Sequence, residues 1–186
     1  MDQRRYPMEM TERLRLDDGR TVLVRPIRPG DEELVQFFVR SLSPRSRYQR
    51  FHGSIKELDS RTLRCATHVD YHRHFALVAV TLDGEAETEI GAARYVMRSD
   101  DASAEFALVV ADNWQRRGLG QRLLERLMAF AAKQGVRRFE SQVLADNEAI
   151  LLLSARLGYK ATRVAGDAHL TNVTKDLRGE PSPALA

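Results

Sequence analysis

The chain has 186 residues, 43% of them hydrophobic and 30% charged, with a formal net charge of +3; these proportions suit one soluble globular domain with its own core. No apolar run approaches the ~18–20 residues of a membrane span, and the opening MDQRRYPMEMTERLRL lacks a signal-peptide stretch, so a cytoplasmic location is expected and membrane insertion is not. A net charge of +3 is weak ground for nucleic-acid binding, and the single cysteine, Cys65, excludes an internal disulfide.

In chain order, residues 1–12 read as a flexible leader, 13–177 as one domain and 178–186 as a flexible, proline-bearing tail. Residues 14–16 and 21–24 flank Asp17-Asp18-Gly19-Arg20, a D-G turn, and predict a small hairpin. Pro26 and Pro29 make residues 25–30 irregular. Asp31 is placed to cap a helix with Leu34, Phe37 and Phe38 inward. Ser43 followed by Pro44 opens a short second helix, which carries Arg45, Arg47, Tyr48 and Arg50. A third helical segment spans about residues 56–66.

Residues 75–82 (FALVAVTL), 89–98 and 104–111 (AEFALVVA) read as strands separated by turns at 83–85 and 99–102. Leu119, Leu123, Leu127 and Ala131 then recur at helical spacing, with Gly135 as the stop. A strand over 137–144 and a helix over 147–157, ended by Gly158, follow. Residues 159–164 and 169–175 form a terminal hairpin around Ala165-Gly166-Asp167. Strands first, then strand-helix-strand-helix-strand, gives a mixed sheet flanked by helices.

Between the strand ending at Ala111 and the helix opening at Leu119 lies Gln115-Arg116-Arg117-Gly118-Leu119-Gly120. A strand-to-helix turn of this kind aims backbone N–H groups and a helix dipole beyond the strand end, where an anion fits. Taken alone, a Q-x-x-G-x-G stretch is also compatible with glycines kept for packing. Glu105 is an acidic residue inside an apolar run, and burying an unpaired charge is costly. It either serves as a base or lies in water, or pairs with Arg94. His68, His72 and His74 have a spacing that could suit a metal, but the intervening Val69-Asp70-Tyr71 reads as a loop, and Asp70 or Tyr71 is an alternative acceptor-site candidate. Residues 40–64 carry seven basic and two acidic residues, and residues 83–105 seven acidic and two basic. These are either two solvated faces or an anion-binding and a cation-binding side.

Taken together, the strand, the Gln115–Gly120 loop, the amphipathic helix, the next strand and Asn147 followed by Gly158-Tyr159 resemble the GNAT superfamily of N-acetyltransferases. Residues 24–31 (VRPIRPGD), 42–51 (LSPRSRYQRF), Asp70-Tyr71 and 104–107 (AEFA) are similar to the acetyltransferase domain of bacterial Pat-type protein lysine acetyltransferases. The resemblance implies an α/β fold: a central mixed sheet of six to seven strands flanked by helices, with acetyl-CoA in the splay between the fourth and fifth strands. It implies that Gln115, Arg116, Arg117, Gly118, Leu119, Gly120 and Gln121 hold the diphosphate of acetyl-CoA. Backbone groups of Leu108, Val109 and Val110, on a bulged strand, would serve the pantetheine and the oxyanion, and Asn147 would bond the pantetheine arm. Asn147 also reads as an N-cap, and the two roles would coexist only if Asp146 took the cap. Glu105 would be the general base, directly or through a water.

Several Pat-type members carry a further regulatory domain. These 186 residues leave no room for one, so regulation through it is not expected. Many superfamily members place a tyrosine acid seven residues after the asparagine; here Ser154 stands there, so no such acid is expected, and Tyr159 reads as a core aromatic. The implied activity is acetyl transfer from acetyl-CoA to a primary amine, protein lysine foremost. A small-molecule amine and a non-catalytic acetyl-CoA-binding module are the alternatives. No metal, nucleic acid or membrane partner is implied, and a homodimer is left open.

Overall fold

The computed structural model describes residues 5–177; the expected tail and the first four residues of the expected leader lie outside them. The strands are β1 (Glu12–Arg15), β2 (Thr21–Pro26), β3 (His74–Asp83), β4 (Ala86–Met97), β5 (Ser103–Val110), β6 (Arg138–Leu144), β7 (Lys160–Val164) and β8 (Asp167–Asp176). The helices are α1 (Glu32–Ser41), α2 (Pro44–Phe51), α3 (Ser60–Thr67), α4 (Leu119–Lys133) and α5 (Glu148–Arg156). No helix among the described residues is long and apolar enough to cross a membrane.

All the strands join one sheet in the order β1-β2-β3-β4-β5-β6-β8-β7. Eight strands exceed the six to seven expected because both members of each terminal hairpin enter the sheet. The first hairpin turns on Gly19, at φ +85°, a conformation that costs glycine little. Every neighbouring pair is antiparallel except β5 and β6. Those two pair in parallel at only three positions, Ser103↔Arg138, Ala104↔Phe139 and Glu105↔Glu140. Beyond them β5 follows β4 to Val110, while β6 follows β8 to Leu144. Each strand is held by its other neighbour, so the sheet opens between them. The opening lies between the fifth and sixth strands, not the fourth and fifth, because β1 adds one to the count.

Helices cover both faces. The stripe Leu119, Leu123, Leu124, Leu127 and Ala131 buries α4 against β3, β4 and β5. On the opposite face, α1 packs on β4 and α2 on β5, with α3 beside α1. A cluster of Phe75, Tyr95, Phe106, Phe130 and Phe139 fills the core with stacked and edge-on rings.

Several expectations for the first third of the chain are corrected. Within residues 5–12, Tyr6 donates its hydroxyl to Pro26 O (2.9 Å), Met8–Met10 form a 3-10 turn and Met10 is buried, while Met8 is exposed. β2 continues through Arg25 to Pro26, whose missing N–H is harmless at a strand end. Asp31 occupies the N-cap position of α1 without capping it. Its carboxylate is taken by the buried Arg25 (2.8 and 2.9 Å) and by Arg28 N. Phe37 faces out at 63% exposure, and Val35, Phe38 and Val39 form the inner side of α1. The third helix starts at Ser60, later than expected, with Asp59 capping Thr62 N.

Candidate functional site

The opening beside β5 leaves backbone groups without a strand to bond. Ala111 N donates to Ile90 O (2.9 Å), and Val110 faces Gly91 in register. Bonding to β4 therefore alternates: Glu105, Ala107 and Val109 exchange bonds with it, while Leu108 and Val110 turn their N–H and C=O toward the opening. Val109, expected to offer its backbone there, is thus committed to β4. The expected bulge is not on β5, which pairs regularly with β4. The register shift falls on β4 at Ile90, opposite Ala79 and Val80. Gly91, beside the shift, lies so close to β5 that a Cβ would meet Val109 O at 3.2 Å.

The loop that follows is anchored on both sides. Gln115 donates Nε2 to Val110 O (3.0 Å), tying the loop to the strand end. Arg117 donates to Asn113 O (3.1 Å) and pairs with Asp18 of the β1–β2 turn. Asp17 N donates to Arg117 O (3.3 Å), and a Cβ on Gly118 would meet the Asp17 carboxylate at 2.6 Å. Gly118 is also at φ +81°, and that backbone conformation is what favours glycine there, since the Asp17 side chain can move aside. Trp114 lies under the guanidinium groups of Arg20 and Arg117. Arg116, at φ +58°, makes no hydrogen bond or ion pair with any described residue. Of the two expected arginines, one is a structural clasp and one is free.

No side chain caps α4. Its first N–H groups, at Leu119, Gly120 and Gln121, therefore have no intrahelical partner, and they carry the positive end of the helix dipole. A Cβ on Gly120 would make only ordinary contacts with Leu108, Val110 and Leu153. The Gln121 side chain donates along the helix to Glu125 (2.9 Å).

A cavity of about 260 Å³ lies where β5 and β6 part. Glu105, Ala107 and Leu108 line it from β5, Ser141 to Val143 from β6, Asn147 and Ile150 from the start of α5, and Gln49 to His52 from the end of α2. Glu105 is not buried as its apolar neighbourhood suggested: its side chain is 57% exposed and lies 3.7 Å from Arg98, which also pairs with Glu140. Position in the cavity, not desolvation, marks it out. Asn147 takes the α5 cap itself, its Oδ1 accepting from Ile150 N at 3.4 Å. The side-chain amide retains its N–H donors, so capping and donation into the cavity coexist without Asp146. Ser154 is buried with no hydrogen-bond partner for its hydroxyl among the described residues. Tyr159 is a core residue, its hydroxyl against Met128 Sδ (3.1 Å) and its ring against Phe106.

Helix α2 links the two halves of the site, which the sequence did not foretell. Its N-terminus is fixed to Asp112, just after β5: Ser43 N, Ser43 Oγ and Ser46 Oγ all donate to that carboxylate, at 3.0, 2.7 and 2.8 Å. Its C-terminus walls the cavity opposite Glu105. Burial works against the Asp112 charge, but the bonds from Ser43 and Ser46 outweigh it and hold the carboxyl below its ordinary value.

Other candidates disperse. His68 lies near Glu32, His72 meets Gln134, and His74 accepts from Arg94 (2.7 Å), so the three imidazoles do not converge. Asp70 accepts from His72 N and His74 N, and the Tyr71 hydroxyl bonds Ile27 O; both shape a turn away from the cavity. The acidic stretch is not one face, since Glu87 joins the Arg25–Asp31 network, Glu89 is buried and Asp101 pairs with Arg73.

A sequence model of the Acetyltransferase (GNAT) family matches residues 37–159. An acetyltransferase of Pseudomonas aeruginosa is 35% identical over 153 residues, covering 82% of each chain. The acetyltransferase Pat of Mycolicibacterium smegmatis is 36% identical over 141 residues; the match covers 75% of this chain and 41% of that protein, so the chain spans well under half of that relative's length. The crystal structure of the GNAT domain of S. lividans Pat superposes with a TM-score of 0.84 at 29% identity, covering 92% of this chain and 99% of that one.

Proposed function

The chain belongs to the acetyltransferase (GNAT) family, and from that premise we propose that it transfers the acetyl group of acetyl-CoA to lysine side chains of proteins in the cytoplasm. The observation that carries this reading is the cavity between β5 and β6, which brings an accessible carboxylate, Glu105, beside the unpaired backbone of Leu108.

The chemistry follows from the groups present. A lysine amine, with an ordinary pKa near ~10.4, is protonated at neutral pH and must lose that proton before it attacks. Glu105 accepts it, directly or through a water. The nitrogen then bonds to the thioester carbon, and Leu108 N–H donates to the oxyanion that forms. Collapse breaks the C–S bond and releases the CoA thiolate, which takes up the second proton that the nitrogen loses as the amide forms. With a thiol pKa near the ~8.5 of cysteine, that thiolate leaves without a strong acid, in keeping with the buried Ser154. The uncapped start of α4, with Arg116 beside it, holds the diphosphate, and Gln115, Arg117 and Gly118 shape the loop that presents it. Asn147 donates to the pantetheine arm.

The Pat relatives and the exposure of Glu105 support a protein acceptor over a small amine. An acetyl-CoA turnover assay against acyl-CoA synthetases, free amino acids and polyamines tests the reading. Acetylated lysine on a protein substrate is the expected product. Turnover confined to small amines overturns the acceptor assignment, and acetyl-CoA binding without turnover on any amine leaves only the non-catalytic module.

A further inference from the structure

A second, smaller cavity of about 50 Å³ lies beneath α1 and α2 on the Glu105 face of the sheet. Its walls are mostly apolar, among them Phe38, Leu42 and Val109, and Glu89, Arg94 and Arg50 interrupt them. Arg50 and Phe51 line both cavities, so this one adjoins the cavity that holds Glu105 at those two side chains.

The three polar residues are poorly served by the protein. Glu89 is 4% exposed, and its Oε2 has no hydrogen-bond partner among the described residues. Arg94 spends one terminal nitrogen on Ala66 O (2.9 Å) and His74, while its buried Nε is unpartnered. Arg50 makes no hydrogen bond or ion pair with any described residue, and its guanidinium lies over the Phe51 ring. Crowding by the surrounding protein, and then the like charge of Arg94, lower the pKa of the half-buried Arg50 to about 10. Burial, reinforced by Asp31, raises the Glu89 carboxyl well above its ordinary value, against the opposing charges of Arg25 and Arg94.

Two guanidinium groups thus line a small, mostly apolar chamber, with the buried Glu89 carboxyl beside them. The unpaired, buried Arg94 Nε is costly, and a second guanidinium at the same chamber favours an anion there. A volume of about 50 Å³ has room for a carboxylate with little attached, given that a water occupies roughly 30 Å³ of liquid.

We propose that this chamber binds a carboxylate carried by a substrate whose reacting end lies in the Glu105 cavity. The assignment rests on the reading of that cavity as the acyl-CoA site. Val109 walls the chamber and is the next residue after Leu108, whose N–H faces the thioester position. That places the chamber at the acyl side and points to a short dicarboxylic acyl chain such as succinyl. The acceptor amine is the second source of the same group. The transfer is unchanged in either case: the C–S bond breaks, the amide C–N bond forms, and the carboxylate is a spectator.

Calorimetric titration of acetyl-CoA and succinyl-CoA into wild type and Arg94→Gln, without acceptor, tests the acyl source. The ratio of the two affinities should shift against succinyl-CoA by about tenfold in the variant, the loss of one charge-assisted pair. An unchanged ratio, together with a KM rise of similar size for an amino acid over its decarboxylated amine, assigns the carboxylate to the acceptor. No change beyond about twofold in either comparison overturns the proposal. Should Arg94→Gln not fold, Arg50→Gln, which removes the other guanidinium of the chamber, carries the same two comparisons. Failure of wild type to bind either thioester would instead overturn the acetyl-CoA reading itself.

Discussion

The two ends of the site are built differently. At the loop end, the groups that shape the loop are already engaged, Gln115 on Val110 O, Arg117 on Asp18, and Gly118 against Asp17, and they hold the uncapped start of α4 and Arg116 in place. At the Glu105 end, the proposed base is more than half exposed and Arg50 has no hydrogen-bonded partner among the described residues. On the proposed reading, rigidity suits the loop end, since a diphosphate is the same in every turnover and preorganised donors lose little entropy on binding it. On the same reading the other end admits an amine, and its more exposed groups leave room for one.

Substitutions at the two ends should therefore fail in different ways. The largest effect is expected from Glu105→Gln, which should lower turnover by at least ~100-fold while acetyl-CoA affinity stays within about threefold; equal losses in both would erase the distinction. Gly118→Ala should do the reverse. Strain at φ +81° should cost about 1–3 kcal/mol of stability and raise the KM for acetyl-CoA more than it lowers kcat. Adding Asp17→Ala should recover little of that loss, because the Asp17 side chain can swing aside, as thermal melts of the single and double variants would show.

Between the two ends, Asp112→Ala frees the start of α2. Because that carboxylate is exposed, the stability loss should be only about 1 kcal/mol, but the KM for the acceptor should rise because the cavity wall opposite Glu105 loosens. His74 adds a pH dependence. Burial, then Arg94, lowers its pKa from 6.5 to about 4, so between those values the unfolded chain binds more protons. Stability is then full above pH 6.5 and falls as the pH drops toward 4, by about 2 kcal/mol at pH 5. His74→Gln should remove that component from a series of melts. The smallest effect belongs to Ser154→Ala, which should leave turnover within about threefold of wild type; a hundredfold loss would assign that buried hydroxyl a role it lacks here.

The same contrast explains what was legible in the sequence. The loop was legible because its requirements are local: a strand of eight residues, two glycines and a helical stripe lie within one short stretch. The β1–β2 hairpin, the Ser43-Pro44 start and the stops at Gly135 and Gly158 were legible for the same reason. The cavity was not, because it draws on residues near 50, 105, 142 and 147, which only the sheet order brings together. Asp31 misled because an Asp before a helix reads as a cap, and the buried Arg25 outbid the backbone for its carboxylate. For Glu105 the sequence left open whether the carboxylate is buried, lies in water or pairs with Arg94; it is exposed and lies near Arg98 instead, and it remains a candidate through its motif and its place beside the opening of the sheet.

The claim on which the rest depends is that the gap between β5 and β6 holds the thioester, with the start of α4 holding the diphosphate. Amide hydrogen exchange with and without acetyl-CoA tests it residue by residue. Slower exchange is predicted at Leu108, Val110, Leu119, Gly120 and Gln121, with Val109 unchanged because β4 already protects it. Binding confirmed by titration, with no protection at Leu108 and at the start of α4, would contradict the account.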